Sequence, residues 1–338
     1  MNPIAAFLAV LLAGTVFSQE EAPAPPIQPP AERAGNWTPV AIDGAEHVSA
    51  DSIAKFYAFN PPTREGDKVT LENKNVKTVL TLGSDEVLIN GIKFKCTSKV
   101  LLHEGQAMVS RMDLSKLLDP VLRPGDIQAG NREFRTVVLD PVLGGETPGQ
   151  ENNLGTEAGF AFQIAGKIKT DLETRGFKVE LTRSQDENPS IAGRLERIGT
   201  FDHDAIVISL GFSSDAAAPG IRTRVIAPLG VPGIEGPLQE EDKAAVPGNA
   251  SEDLSIALAT AMHSCVVNKL GRNTSDLGIV RSRLPLLEQL GAPAIFIECG
   301  SIAHPYEARL IANETYQTAV ASGIVNGVDR YRKAIGQK

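Results

Sequence analysis

Thr136-Val137-Val138-Leu139-Asp140-Pro141-Val142-Leu143-Gly144-Gly145, followed by Pro148-Gly149 and then Glu157, is the stretch whose reading decides the fold. The apolar run predicts a buried strand over 136–139, and the Pro and Gly residues behind it predict a loop. From 157 to 175 the spacing of Phe160, Ile164, Ile168 and Leu172 lays one apolar stripe along a helix, which Gly176 stops. Further strands are expected at 178–182, 205–210, 222–227 and 294–298, and long helices at 254–270 and 315–335. Strands alternating with helices argue for an α/β fold with a mostly parallel sheet flanked by helices. In such sheets functional loops gather at the carboxyl ends of the strands, which puts Leu143, Gly211 and Glu298 on one rim.

The same landmarks carry a family resemblance that spans about 134–335. Asp140-Pro141-Val142-Leu143-Gly144-Gly145 resembles the D-P-G-H-G-G of the zinc-dependent N-acetylmuramoyl-L-alanine amidases, the cell-wall amidases. Glu157 matches the family glutamate behind the glycine loop, and Val179-Glu180-Leu181-Thr182-Arg183 matches V-x-L-T-R. Ser209-Leu210-Gly211-Phe212-Ser213 falls on S-I-H-A-N, and the stretch from Asp276 to Arg283 resembles D-R-G-x-x-R-A-R. Pro293-Ala294-Ile295-Phe296-Ile297-Glu298-Cys299-Gly300 is similar to P-A-x-L-x-E-x-G. The resemblance implies an amidase-like fold, Glu157 as a metal ligand and Glu298 at the catalytic glutamate. It also implies that the other two ligands, both histidines in the family, are replaced by Leu143 and Gly211.

A catalytic zinc is usually held by three protein ligands and a water, whose pKa it lowers from about 15.7 to about 7. One carboxylate cannot do this, and leucine and glycine offer no side-chain donor. No cofactor is therefore expected, although zinc is the family's metal. The histidines are His47, His103, His203, His263 and His304. His304, six residues after Glu298, is read as a cap on the helix opening at Pro305 rather than as a relocated ligand. His203 is expected at the surface, and His263 lies mid-helix. Arg281 and Arg283 are candidates for pairing with peptide-stem carboxylates, since arginine offers a bidentate fork; a structural ion pair is the equal alternative. Arg183, Arg194 and Arg197 are read as structural, and Cys299 as a buried thiol without a histidine partner.

The remaining chain sets bounds. Its 338 residues, 42% of them hydrophobic, can bury a sizeable core, and a net charge of -8 without a basic cluster argues against nucleic acid as a partner. Three cysteines exclude a disulfide framework. Residues 1–18 read as a secretory signal, with an apolar run from Ile4 to Phe17 too short for an ordinary membrane span. Export to the periplasm or cell envelope, with no transmembrane domain in the mature chain, is the expectation. Residues 19–35 are expected to form a Pro-rich linker. Residues 36–130 are expected to form a small α+β unit similar to the β-rich stalk domains of some exported amidases, serving to bind wall polymer or as a spacer. Asn90-Gly91 signals a hairpin turn there, and Ser49 a helix cap before 50–59. The Pro- and Gly-rich segment 214–251 is expected as a surface loop beside the cleft.

Two functions of different classes follow. One is a non-catalytic homologue that keeps a groove for peptidoglycan or muropeptides and acts as a binding or regulatory module. The other is a working amidase that cleaves the amide between MurNAc and L-Ala through an altered metal site built from Glu157, Glu298 and His304. A metal-free carboxylate pair of Glu157 and Glu298 is a remote third.

Overall fold

The computed structural model describes residues 37–127, 133–201 and 204–337. The apolar leader, the Pro-rich linker and His203 lie outside the described residues.

Eleven strands make one sheet. Five come early in the chain: β1 (Thr63–Glu65), β2 (Lys68–Glu72), β3 (Lys77–Thr81), β4 (Glu86–Ile89) and β5 (Ile92–Lys95). Six follow: β6 (Thr136–Pro141), β7 (Lys178–Leu181), β8 (Ala205–Ser213), β9 (Ile221–Ile226), β10 (Asp276–Ser282) and β11 (Ala294–Ser301). The spatial order is β7-β6-β8-β11-β9-β10-β5-β4-β3-β2-β1. Strands β7, β6, β8 and β11 run parallel, β9 lies antiparallel to β11 and parallel to β10, and β5 to β1 form an antiparallel meander. The sheet is thus α/β and parallel at the end that carries the family landmarks.

Local chemistry explains the early elements. Asn90 (φ +50°) and Gly91 (φ +79°) both adopt the left-handed region, the geometry a two-residue hairpin needs to match strand twist. Helix α1 (Ala50–Phe56) starts where the Ser49 hydroxyl accepts from Ser52 N–H at 3.2 Å. It stops short of residue 59 because Ala58 turns left-handed (φ +53°).

Helices cover both faces of the larger half. Helices α2 (Glu157–Thr174), α4 (Glu252–Leu270) and α7 (Glu314–Ala334) lie on one side, where Val137, Leu139, Ile206 and Ile208 join Ile164, Ile168, Val266 and Ile324 in one apolar cluster. The short helices α3 (Ile191–Gly199) and α5 (Pro285–Gln289) lie on the other, against Val138, Val207 and Ala294. Alternation along β6 and β8 decides which side chain meets which layer. Helix α6 (Pro305–Ile311) follows β11.

The strands of the small early segment join the main sheet edge to edge. Phe94 of β5 pairs in parallel with Ile279 of β10, and Lys93 N–H donates to the Asp276 carboxylate at 2.9 Å. Leu71, Leu80, Val87 and Phe94 belong to the same apolar cluster as Leu139, Ile208 and Ile297. Each such side chain, fully buried, is worth about 2 kcal/mol. Strand β10 was not among the strands expected, since its Gly278 (φ +88°) and buried Arg281 break the apolar run.

Candidate functional site

The carboxyl ends of β6, β8 and β11 bring three landmarks to one rim. Pro141 stands beside Leu210 and Gly211 beside Glu298 in the parallel register, so Leu143, Gly211 and Glu298 share one end of the sheet. There the molecule opens a cleft of about 700 Å³, lined among others by Leu143, Glu157, Ile191, Phe212, Leu287 and Phe296.

Two buried arginines shape its entrance loop. Arg183 Nε donates to the Pro141 carbonyl at 2.8 Å and Nη2 to the Ala158 carbonyl at 2.9 Å. Burial, reinforced by the charge of Arg194, pulls the Arg183 guanidinium below its usual pKa. Arg194 pairs with Asp140 and donates to the Leu143 carbonyl at 3.1 Å. Asp140 also accepts from the hydroxyls of Thr182 at 2.5 Å and Ser209 at 2.8 Å. The structural roles expected for Arg183 and Arg194 are what the hydrogen bonds display. Leu143 itself is held at φ +62°, a left-handed conformation that is an outlier for a bulky residue and one in which histidine is enriched.

Glu157 opens α2, whose N-cap Thr156 accepts from Gly159 N–H at 3.1 Å. Its two carboxylate oxygens accept from Gln150 N–H and Phe212 N–H, each at 3.3 Å. Burial pushes this carboxyl above the ordinary glutamate range; the two hydrogen bonds oppose the shift, and the neighbouring Glu298 charge adds to it. Leu143 and Glu157 flank Gly149, where a Cβ would collide with Leu143 Cδ1 and lie 2.7 Å from Glu157 Oε2. The left-handed backbone at Gly149 (φ +73°) favours glycine there as well.

Glu298 is 2% exposed and held by two arginines of β9. Arg222 Nη1 donates to Oε2 at 3.0 Å; Arg224 donates to Oε1 through Nε at 2.7 Å and again through Nη2. Arg224 also reaches Glu235 at 3.1 Å. Although burial pushes Glu235 up, hydrogen bonds from Ser282 and the Arg283 N–H, with the Arg224 charge, hold it below the ordinary range. A general acid or base must reach the proton it transfers. Both oxygens of Glu298 are instead occupied by guanidinium donors.

Arg222 and Arg224 went unnoticed in the sequence, yet their i, i+2 spacing in an expected strand places both on one face. The two arginines proposed from sequence lie elsewhere. Arg281 is buried and donates to the carbonyls of Ile226 at 3.2 Å and of Lys116. Arg283 donates to the carbonyls of Pro228 and Val231, each at 2.8 Å, and pairs with Asp242 at 3.4 Å, pinning the loop behind β9. Neither lines the cleft.

His304 caps α6, its Nδ1 accepting from Glu307 N–H at 3.4 Å, as read from the sequence. His263 is fully buried between Thr223 and Asp276, each at 2.9 Å. The Cys299 thiol is buried and pushed up to about 12 by desolvation, with the Glu298 charge adding to it, which fits an inert thiol.

The donor set does not fit a catalytic zinc, which requires three protein ligands. Glu157 is the only donor among the three positions that the sequence resemblance marks as ligands. Among the described residues no three His, Cys, Asp or Glu side chains form a group able to hold a metal ion. No described helix is long and apolar enough to cross a membrane.

Comparison with known proteins places this arrangement. The sequence is 25% identical over 325 residues to the N-acetylmuramoyl-L-alanine amidase AmiC of Neisseria meningitidis, covering 88% of this chain and 74% of that protein. It is 25% identical over 199 residues to YqiI of Bacillus subtilis, covering 59% of this chain and 85% of that one. A crystal structure of an N-acetylmuramoyl-L-alanine amidase from Clostridium difficile superposes with a TM-score of 0.48 at 27% identity, covering 60% of this chain and 100% of that one. Residues 137–330 match the profile described as N-acetylmuramoyl-L-alanine amidase, and the chain therefore belongs to that family.

Proposed function

We propose that this protein is an exported, peptidoglycan-associated amidase homologue that binds wall polymer or muropeptides without hydrolysing them, as a wall-binding or regulatory module. The observation that carries the reading is the donor inventory of the three positions that the resemblance marks as ligands: Leu143 and Gly211 supply none, leaving Glu157 alone. A single carboxylate does not lower the pKa of a water to neutrality, and the barrier to amide cleavage stays in place. The engagement of both Glu298 oxygens by Arg222 and Arg224 supports the same reading, because the two guanidinium groups favour the ionised carboxylate and hold it toward β9. The capping role of His304 counts against the altered site of Glu157, Glu298 and His304.

The test is direct. Purified protein, loaded with excess zinc and then desalted, is assayed for bound metal, for release of peptide stems from muropeptides, and for sedimentation with insoluble peptidoglycan. The expected result is substoichiometric zinc, no cleavage and retention on the wall. Chelator-sensitive cleavage of the muramoyl–alanine amide would establish the working amidase instead.

A further inference from the structure

Gly211 marks where the metal position has gone. A Cβ placed there would lie 2.8 Å from Val142 Cγ2, 2.9 Å from Phe296 Cζ and 3.1 Å from Phe296 Cε2. Real Cβ atoms essentially never come within 3.0 Å of a heavy atom, so Val142 and Phe296 would have to shift to admit one, and β-branched Val142 has little rotamer freedom with which to do so. The space a side chain at 211 would need is filled from the two neighbouring strands, by the residue that follows β6 and by one in the middle of β11.

The residues that fill it are themselves departures from the family motif. Where D-P-G-H-G-G has glycine, this chain has Val142, and where P-A-x-L-x-E-x-G has leucine, it has Phe296. Replacing histidine by glycine at 211 removes volume, and both other changes add it. Both Val142 and Phe296 are half-buried and border the cleft, so the room beside 211 is set by these two side chains where the cleft meets the sheet.

We infer that Val142, Gly211 and Phe296 form one steric unit that has closed the metal position with apolar side chains, making Val142 and Phe296 the residues that exclude a ligand at 211. The inference deepens the non-catalytic reading above but is tested separately from it. Leucine at 143 is not part of the obstruction. Its left-handed backbone accepts histidine readily.

Two consequences distinguish this unit from simple loss of ligands. First, Leu143→His with Gly211→His does not restore zinc, because the second imidazole has no room. Adding Val142→Ala and Phe296→Leu, which delete the three obstructing atoms, does restore it, with Glu157 as the third ligand. Second, Gly211→Ala alone lowers the melting temperature by about 4 °C through overpacking, but costs under about 1 °C when made in a Val142→Ala, Phe296→Leu background.

The experiment measures melting temperature for the alanine series, and cobalt absorption with metal stoichiometry for the histidine series, each variant first checked for native circular dichroism. One metal ion per chain in the four-substitution protein, and none in the two-substitution protein, supports the inference. Equal metal uptake by both, no metal in a folded four-substitution protein, or an equal alanine penalty in both backgrounds overturns it. Wild-type hydrolysis would sink the proposed function and leave the alanine coupling untouched.

Discussion

Arg224 grips Glu298 through two nitrogens on one oxygen, with Nε at 2.7 Å from Oε1. Arg222 takes the other oxygen at 3.0 Å. The carboxylate that the family motif places at the catalytic position is therefore the centre of an ion-pair cluster spanning β9 and β11, in register through the Arg222–Glu298 pairing of these antiparallel strands.

Breaking that cluster from the arginine side leaves a nearly buried charge uncompensated. Replacing both Arg222 and Arg224 by methionine is expected to cost about 3 kcal/mol, discounted because the arginine side chains are about one-fifth exposed. Adding Glu298→Gln to that variant should recover part of the loss. Urea unfolding of wild type, the double variant and the triple variant reads the coupling; equal stability of the arginine double variant with and without Glu298→Gln would refute it.

Asp276 supplies a pH signature. Burial pushes its carboxyl up, yet the His263 hydrogen bond and charge and the N–H groups of Lys93 and Gly278 outweigh this and hold it below the ordinary value. A depressed folded pKa contributes stability that is complete above the unfolded value, about 3.9, and lost as pH falls through the folded one. The stability gap between wild type and Asp276→Asn should therefore shrink as the pH falls below about 4. Thermal melts across that range check it, and a gap that widens on acidification would contradict the assignment.

Thiol reactivity should follow burial. Cys96 and Cys299 are buried, and desolvation raises both thiols; Cys265 is partly exposed. Native protein treated with iodoacetamide at pH 8 is expected to label at Cys265 alone, with the other two reacting only after unfolding. Peptide mass spectrometry resolves the sites.

The amidase-like half should not tolerate removal of the early segment. Deleting residues up to 132 would leave β10 as an unpaired edge and strip Phe94, Leu80 and Leu71 from the shared core. Residues 133–337 expressed alone are expected to aggregate or to lose tens of per cent of their native circular dichroism, measured beside the full chain. A soluble, fully folded fragment would show that the sheet junction is dispensable.

Much of the architecture was legible in the sequence because it is written locally. The strand from Thr136, the helical stripe from Phe160 to Leu172, the Asn90-Gly91 turn and the caps at Ser49 and His304 each depend on residues within about ten positions of one another. Motif order added the reading that Leu143 and Gly211 stand where the family motif has histidine. What the sequence did not reveal is everything that depends on register between distant strands. The parallel bridge from Ile279 to Phe94 joins two segments into one sheet, and no periodicity announces it. Arg222 and Arg224 were visible as residues, but only the antiparallel placement of β9 beside β11 turns them onto Glu298, while Arg281 and Arg283 are taken up by backbone carbonyls. Likewise a glycine at 211 reads as an absent ligand in one dimension; in three it is a position already filled, because packing is settled by neighbours the chain brings from 142 and 296.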